Sequence, residues 1–254
     1  MKKLLKETLE LYLQHTKRML YGVGSSEIEG ICISRILENL VDFEAPDAYS
    51  IVEETLFLLE LFQFDRTTKI RKQGSTSEKG LADANKAFGK ADDGTYVYPI
   101  GDKKIIDGST VYAAGNSEDA SKRYVKNFLD VATAHYNKIE TYLQNIAKEN
   151  IGSNCTTAKI GFFVEDKTIS GNFYYDNQMK KQPIFLFETK QFLDFFSKND
   201  KLEFFLCGST QSRRFYLHFI SRDTIKDYRK KQVDMNEIKI YEFTAMKIGA
   251  KVIF

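Results

Sequence analysis

The stretch Phe57-Leu58-Leu59-Glu60-Leu61-Phe62-Gln63-Phe64-Asp65 is apolar on both faces of an extended chain, yet a carboxylate sits in its middle. Such a run predicts a central strand, at about 55–65, covered on both sides. Upstream, Leu5, Leu9, Tyr12, Leu13 and Leu20 share one face of an amphipathic helix over 3–20. Ser26-Glu27-Ile28-Glu29 has capping-box spacing, with Ser26 as N-cap and Glu29 at N3. The helix it opens would carry Ile28, Ile31, Cys32, Ile36, Leu37 and Leu40. Pro46 marks a boundary near Ala45, and a short turn of helix is expected before the strand. The longest helix is predicted over 118–149. There Phe128, Val131 or Ala132, His135, Ile139, Tyr142 and Ile146 recur every three or four positions, and Gly152 ends the run. The last third alternates. Strands are expected at 160–164, 183–187, 202–207, 215–220, 238–243 and 251–254, and helices at 192–196 and 221–231. The strands at 202–207 and 215–220 would form a hairpin turning at 209–211.

Periodicity disappears over 66–94, where Gly, Ser, Lys and Asp dominate. Residues 96–112 predict a hairpin with its turn near Gly101-Asp102. Residues 66–115 therefore read as a partly mobile loop-and-hairpin insertion. No internal repeat or dividing linker is evident. The expectation is one α/β (or α+β) domain over 1–254, a mixed β-sheet flanked by helices.

Composition narrows the function only a little. The 254 residues suffice for a substantial core, and 43% hydrophobic against 28% charged residues is ordinary for a globular protein. A formal charge of +2 does not by itself imply a nucleic-acid partner. Cys32, Cys155 and Cys207 are odd in number and far apart, which argues against a disulfide framework. His15, His135 and His218 are equally scattered, which disfavours a His/Cys zinc cluster. Lys6, Glu7 and Glu10 interrupt any signal-peptide core, and no uncharged run is long enough to span a membrane. A cytoplasmic location is expected.

The candidate chemistry centres on Glu60. On a strand it shares its face with Leu58, Phe62 and Phe64. An ionised carboxylate there is costly unless it meets a metal, a cation or hydrogen-bond donors. Asp65 lies near the same strand's end, on the opposite face by strict alternation, and Glu165 and Asp166 end the later run Phe162-Phe163-Val164. If the two strands are neighbours, the four carboxylates could hold Mg²⁺, which favours oxygen-rich sites. Lys69, Arg71 and Lys72 follow the first acidic strand, and Arg213-Arg214 precede a later one; all could contact phosphate. His135, on the apolar stripe of the long helix, is either a satisfied core histidine or a general base or orienting partner for Glu60.

Glu165-Asp166-Lys167, written E-x-K after an apolar run, resembles the final element of the PD-(D/E)XK nuclease motif. That resemblance implies an upstream acid, supplied by Asp65 or Glu60, and often a helical Glu, here Glu29 or Glu38. About a hundred residues separate the two acidic strands, whereas that family usually keeps them close. The chain is also similar to a poorly characterised group of bacterial proteins. In that group an E-H-F-E-F-D-like strand precedes a basic Gly-Ser loop, and an F-F-I-E-D-like strand follows. The matching stretches are Glu60 to Asp65, Lys72-Gln73-Gly74-Ser75, and Phe162 to Asp166, with Tyr124, Asn127, Phe128, His135 and Tyr136 between them. Leu61 and Gln63 stand where that group has polar residues.

The leading expectation is a metal-dependent, nuclease-like hydrolase acting on nucleic-acid phosphodiesters. Glu60, Asp65, Glu165 and Asp166 would hold Mg²⁺, and Lys167 or Lys72 would orient water or steady the transition state. The rival is a non-catalytic protein-interaction module of a mobile-element or defence system, using its aromatic surface. A third option is a small-molecule sensor built on His135 and Glu60.

Overall fold

The computed structural model describes residues 5–15, 20–21, 27–28, 31–65, 69–70, 74–75, 98–100, 103–105, 120–168, 172–175, 181–211 and 214–238. Among them, seven strands form one sheet: β1 (Leu20–Tyr21), β2 (Val41–Asp42), β3 (Ala48–Val52), β4 (Thr55–Phe64), β5 (Thr157–Asp166), β6 (Leu202–Gln211) and β7 (Arg214–Ser221). Their order across the sheet is β1-β7-β6-β5-β4-β3-β2. The centre is parallel, with β4 beside β5 and β5 beside β6. The β6–β7, β4–β3 and β3–β2 pairs are antiparallel, and β1 runs parallel to β7. The fold is a mixed α/β sheet flanked by helices.

Both parallel crossovers place their helices on one face. These are α3 (Ala120–Tyr136) and α4 (Ile139–Lys148) between β4 and β5, and α5 (Lys190–Lys198) between β5 and β6. Phe128, Ile139, Ile146, Phe192 and Phe196 there pack on Leu58, Phe62, Phe162, Val164 and Phe205. The opposite face carries α1 (Leu5–His15) and α2 (Ile33–Glu38), whose Leu5, Leu9, Ile33 and Ile36 cover Phe57, Leu59, Phe163, Phe204 and Leu206. The two-faced apolar pattern of β4 follows from this layering, since each alternate side chain meets helices.

Several expectations need correction. Glu27–Ile28, which the capping-box spacing put in a first helical turn, instead pairs antiparallel with Ile31–Cys32, and α2 begins only at Ile33. β-branched Ile28 and Ile31 suit that extended pairing. The short helix expected after Pro46 is strand β3, whose Ala48, Ser50 and Val52 alternate inward; Glu53, at φ 57°, turns the chain into β4. The long helix breaks at Asn137-Lys138, where the Lys138 N–H bonds to the His135 carbonyl at 3.0 Å. The apolar stripe continues across that break without Gly or Pro, so spacing alone does not reveal it. The strand expected at 183–187 is Lys181–Ile184, followed by a 3-10 turn at Leu186–Glu188, and Thr189 then caps α5 by accepting the Phe192 N–H. β6 and β7 pair as far as Gln211 opposite Arg214, past the expected turn.

Other expectations match the structure. Gly152, at φ 71°, stands just past α4 as expected of a helix stop. Helix α6 (Ile225–Arg229) falls in the predicted region. Tyr98–Ile100 pairs antiparallel with Lys103–Ile105, around the expected turn. Most of the 66–115 insertion and the strands expected at 238–243 and 251–254 lie outside the described residues, which reach only Ile238. No described helix is long and apolar enough to cross a membrane.

Phe204 lies across Gly161 of the neighbouring strand. A Cβ at that glycine would stand 2.2 Å from the ring's Cζ. Gly161→Ala is therefore expected to destabilise the fold by about 2 kcal/mol through overpacking. Adding Phe204→Leu should recover part of that loss. A double-mutant cycle by urea denaturation measures the coupling, and purely additive effects would show that the ring does not require the glycine.

Candidate functional site

Glu60 occupies the middle of β4, on the face covered by α3 and α4. Its carboxylate is largely buried and meets partners from two directions. His135 Nδ1, from α3, lies 2.8 Å from Oε1, and the Asp47 N–H donates to Oε2 at 3.2 Å. The Tyr142 hydroxyl, from α4, lies 3.2 Å from the same His135 nitrogen. Burial first, and then the Glu60 charge, push the Tyr142 hydroxyl far above its ordinary pKa. It therefore stays protonated. Asp47 is itself oriented by the Leu61 N–H, which donates to its Oδ2 at 2.9 Å.

The His135 ring stacks on Phe62 with centroids 5.0 Å apart and planes 15° apart. Phe62 is two residues from Glu60 on the same face, so one strand supplies both the carboxylate and the platform. With its proton on Nδ1, His135 donates to Glu60 and keeps Nε2 as an acceptor. Its side chain remains 20% exposed, against 10% for Glu60. A base oriented by a carboxylate and partly open to solvent can take a proton from water or a hydroxyl. The loop that supplies Asp47 also borders an open cleft of about 450 Å³, lined by Phe43, Glu44, Ala45, Asn145, Lys148 and Glu149. Asn145 ties the cleft's two walls by donating to the Ala45 carbonyl at 3.0 Å.

The β4 and β5 strands are neighbours, but their carboxylates do not share one place. Glu60 stands opposite Phe162, and Asp166 stands opposite Phe64. The two acids are thus four residues apart along the strands, about 13 Å. Asp166 has its own donors on that face: the Tyr124 hydroxyl at 2.8 Å and the Thr168 N–H at 2.9 Å. Glu165, directly beside Gln63, points to the other face and is completely buried. It accepts from Tyr12 of α1 at 3.1 Å, from Gln63 at 2.6 Å and from Lys167. Tyr12 reaches it over Gly208, where a Cβ would stand 2.9 Å from the tyrosine ring.

Asp65, also buried, follows the end of β4, and its carbonyl accepts the Asn127 amide at 2.7 Å. The four acids expected around one Mg²⁺ are therefore divided between two faces, and protein donors are bound to Glu60, Glu165 and Asp166. Among the described residues, no three His, Cys, Asp or Glu side chains gather closely enough to hold a metal ion. Lys167 serves Glu165 rather than the Glu60 centre. Of the basic residues expected at phosphate, Arg71, Lys72 and Arg213 lie outside the described residues, and Lys69 and Arg214 are described only as strand backbone.

The sequence offered His135 either as a core histidine or as a partner of Glu60, 75 positions away, and did not point to Asp47, Tyr142 or Tyr12 as members of the site. Tyr142 was within reach, since it follows His135 by seven on the same stripe. Nothing in the local pattern marks Asp47. No protein-family model matches the chain, and no curated protein or solved structure is significantly similar to it.

His218 of β7 is buried against the Phe187 and Phe185 rings, with centroids at 4.1 and 5.2 Å. Burial lowers its pKa from 6.5 to about 4. The unfolded chain therefore binds a proton that the folded chain refuses between those values. The stability contributed by neutral His218 is complete above about pH 6.5 and lost as the pH falls toward 4, a change on the order of 3 kcal/mol. Urea midpoints measured from pH 7 to pH 4 should fall less steeply in His218→Gln than in the parent chain. Parallel slopes would mean that His218 is not the group being titrated.

Proposed function

We propose that the Glu60–His135 pair is the acid–base centre of a nuclease-like hydrolase. The observation that carries this reading is the 2.8 Å contact between His135 Nδ1 and Glu60 Oε1. Glu60 holds the imidazole in one tautomer, and Nε2 draws a proton from the attacking water as its oxygen bonds to phosphorus and the ester P–O bond breaks; the leaving oxygen takes a proton from solvent, and the imidazolium later returns its own. The Asp47 N–H fixes Glu60 in place, and Tyr142 lies against the same His135 nitrogen. The phosphodiester as substrate rests on the basic runs at Lys69 to Lys72 and Arg213-Arg214, together with the E-x-K resemblance. Mg²⁺, if used, would be held by the substrate and a subset of these acids rather than by all four.

A second reading has its own support. Glu60 accepts from His135 and the Asp47 N–H, as a purely structural clamp would, and Val41 and Ile51 expose apolar side chains near the β2 edge of the sheet. In that reading the chain is a non-catalytic module whose sheet edge meets a protein partner.

Labelled single- and double-stranded DNA and RNA, incubated with the chain in Mg²⁺, Mn²⁺ or EDTA, separate the two. Cleavage should fall about 100-fold or more in His135→Asn and by a smaller factor in Glu60→Gln, with the far-UV circular dichroism of both variants unchanged. Cleavage that survives His135→Asn at the parent rate rejects the acid–base centre. No cleavage by the parent chain under any condition favours the interaction module.

A further inference from the structure

The ends of the parallel strands β5 and β6 close on a second cavity, separate from the Glu60 centre. It encloses about 10 Å³ beneath the 3-10 turn, and Asp166, Phe185, Phe187, Cys207 and Ser209 help to line it. Asp166 and Ser209 are direct partners in the parallel register, so their Cα atoms lie about 4.8 Å apart. Strand alternation puts both side chains on the face of Val164 and Cys207, toward the turn. Ser209 is only 9% exposed, and its Oγ is buried without a hydrogen-bond partner although a carboxylate stands beside it.

A buried hydroxyl left in that state is costly, and polar neighbours too far apart for a direct bond are commonly joined by water. The space matches one water molecule. We infer that this cavity is a binding site for a single resident water, which accepts from the Ser209 hydroxyl and donates to the Asp166 carboxylate. A hard cation would want about six oxygen ligands, whereas one carboxylate and one hydroxyl stand among aromatic and aliphatic side chains here. The neighbouring Cys207 thiol does not compete as an anion. Burial first, and then the Asp166 charge, push its pKa up, and it stays protonated.

The water bridges the ends of two central strands, and the Phe185-Leu186-Phe187 cover slows its exchange. Oxygen-17 magnetic relaxation dispersion counts such long-lived waters in the full chain. Ser209→Ala, which removes the hydroxyl, and Ser209→Val, whose methyls fill the space, should each lose one long-lived water relative to the parent chain, equally in sodium-containing and sodium-free buffer. Ser209→Ala decides alone if the valine variant does not fold. An unchanged count in Ser209→Ala overturns the assignment, and so does a count that follows the sodium concentration.

Discussion

Desolvated carboxylates in the two central strands constrain the rest of this structure. Glu60, Glu165 and Asp166 are each buried away from bulk water. Tyrosine hydroxyls from the flanking helices serve them: Tyr12 bonds to Glu165, Tyr124 bonds to Asp166, and Tyr142 lies against His135, the partner of Glu60. The apolar faces would bring helices and sheet together in many registers, because greasy contact is not directional. A hydrogen bond to a fixed carboxylate is directional, and losing it leaves a charge uncompensated. Bonds from Tyr12, Tyr124 and His135 therefore hold α1 and α3 at defined positions on the sheet, and Tyr142 ties α4 to His135. Two side-chain amides act in the same sense on backbone carbonyls, Asn127 on Asp65 and Asn145 on Ala45.

The same constraint explains why the acids are spread out. Gathered into one cage, four carboxylates would repel one another and would need a cation to remain ionised. Here Glu165 lies across the sheet from Glu60 and Asp166, and Asp166 is displaced along the strands from Glu60. Each charge meets its own donors, and Glu165 also meets Lys167. What distinguishes the Glu60 group is its reach. It joins the Asp47 loop, strand β4 and both helices of the first crossover, and it includes the partly open imidazole of His135.

Much of this was legible in the sequence where burial is periodic. The two-faced run around Glu60, the aromatic face of α5 and the strands at β5, β6 and β7 all follow from which positions are apolar. The pairing of Glu60 with His135 was legible for a related reason. A carboxylate on a buried strand face needs a donor, and a histidine on a buried helical stripe can supply one. The illegible parts depend on contacts without period. Whether Ala48 to Val52 coils or extends is set by pairing with β4, and the spacing of Ile28, Ile31 and Cys32 suits a helix stripe as well as a short hairpin. Nor does alternation show how far two neighbouring strands are staggered. That stagger puts Asp166 beside Phe64 and leaves the expected metal ligands apart.

The break between α3 and α4 shows how such a local irregularity bears on the site. A continuous helix would carry the stripe on past His135 at a constant angle. The turn at Asn137-Lys138 starts α4 afresh, with the Tyr142 N–H bonded to the Lys138 carbonyl, and brings the Tyr142 hydroxyl back to the nitrogen of His135. One imidazole nitrogen thus faces both a carboxylate and a phenol, while Phe62 fixes the plane of the ring. Since the Nδ1 side is committed to those partners, any chemistry at this residue must pass through Nε2. The orientation of one ring edge therefore rests on a helix break that no propensity scale marks.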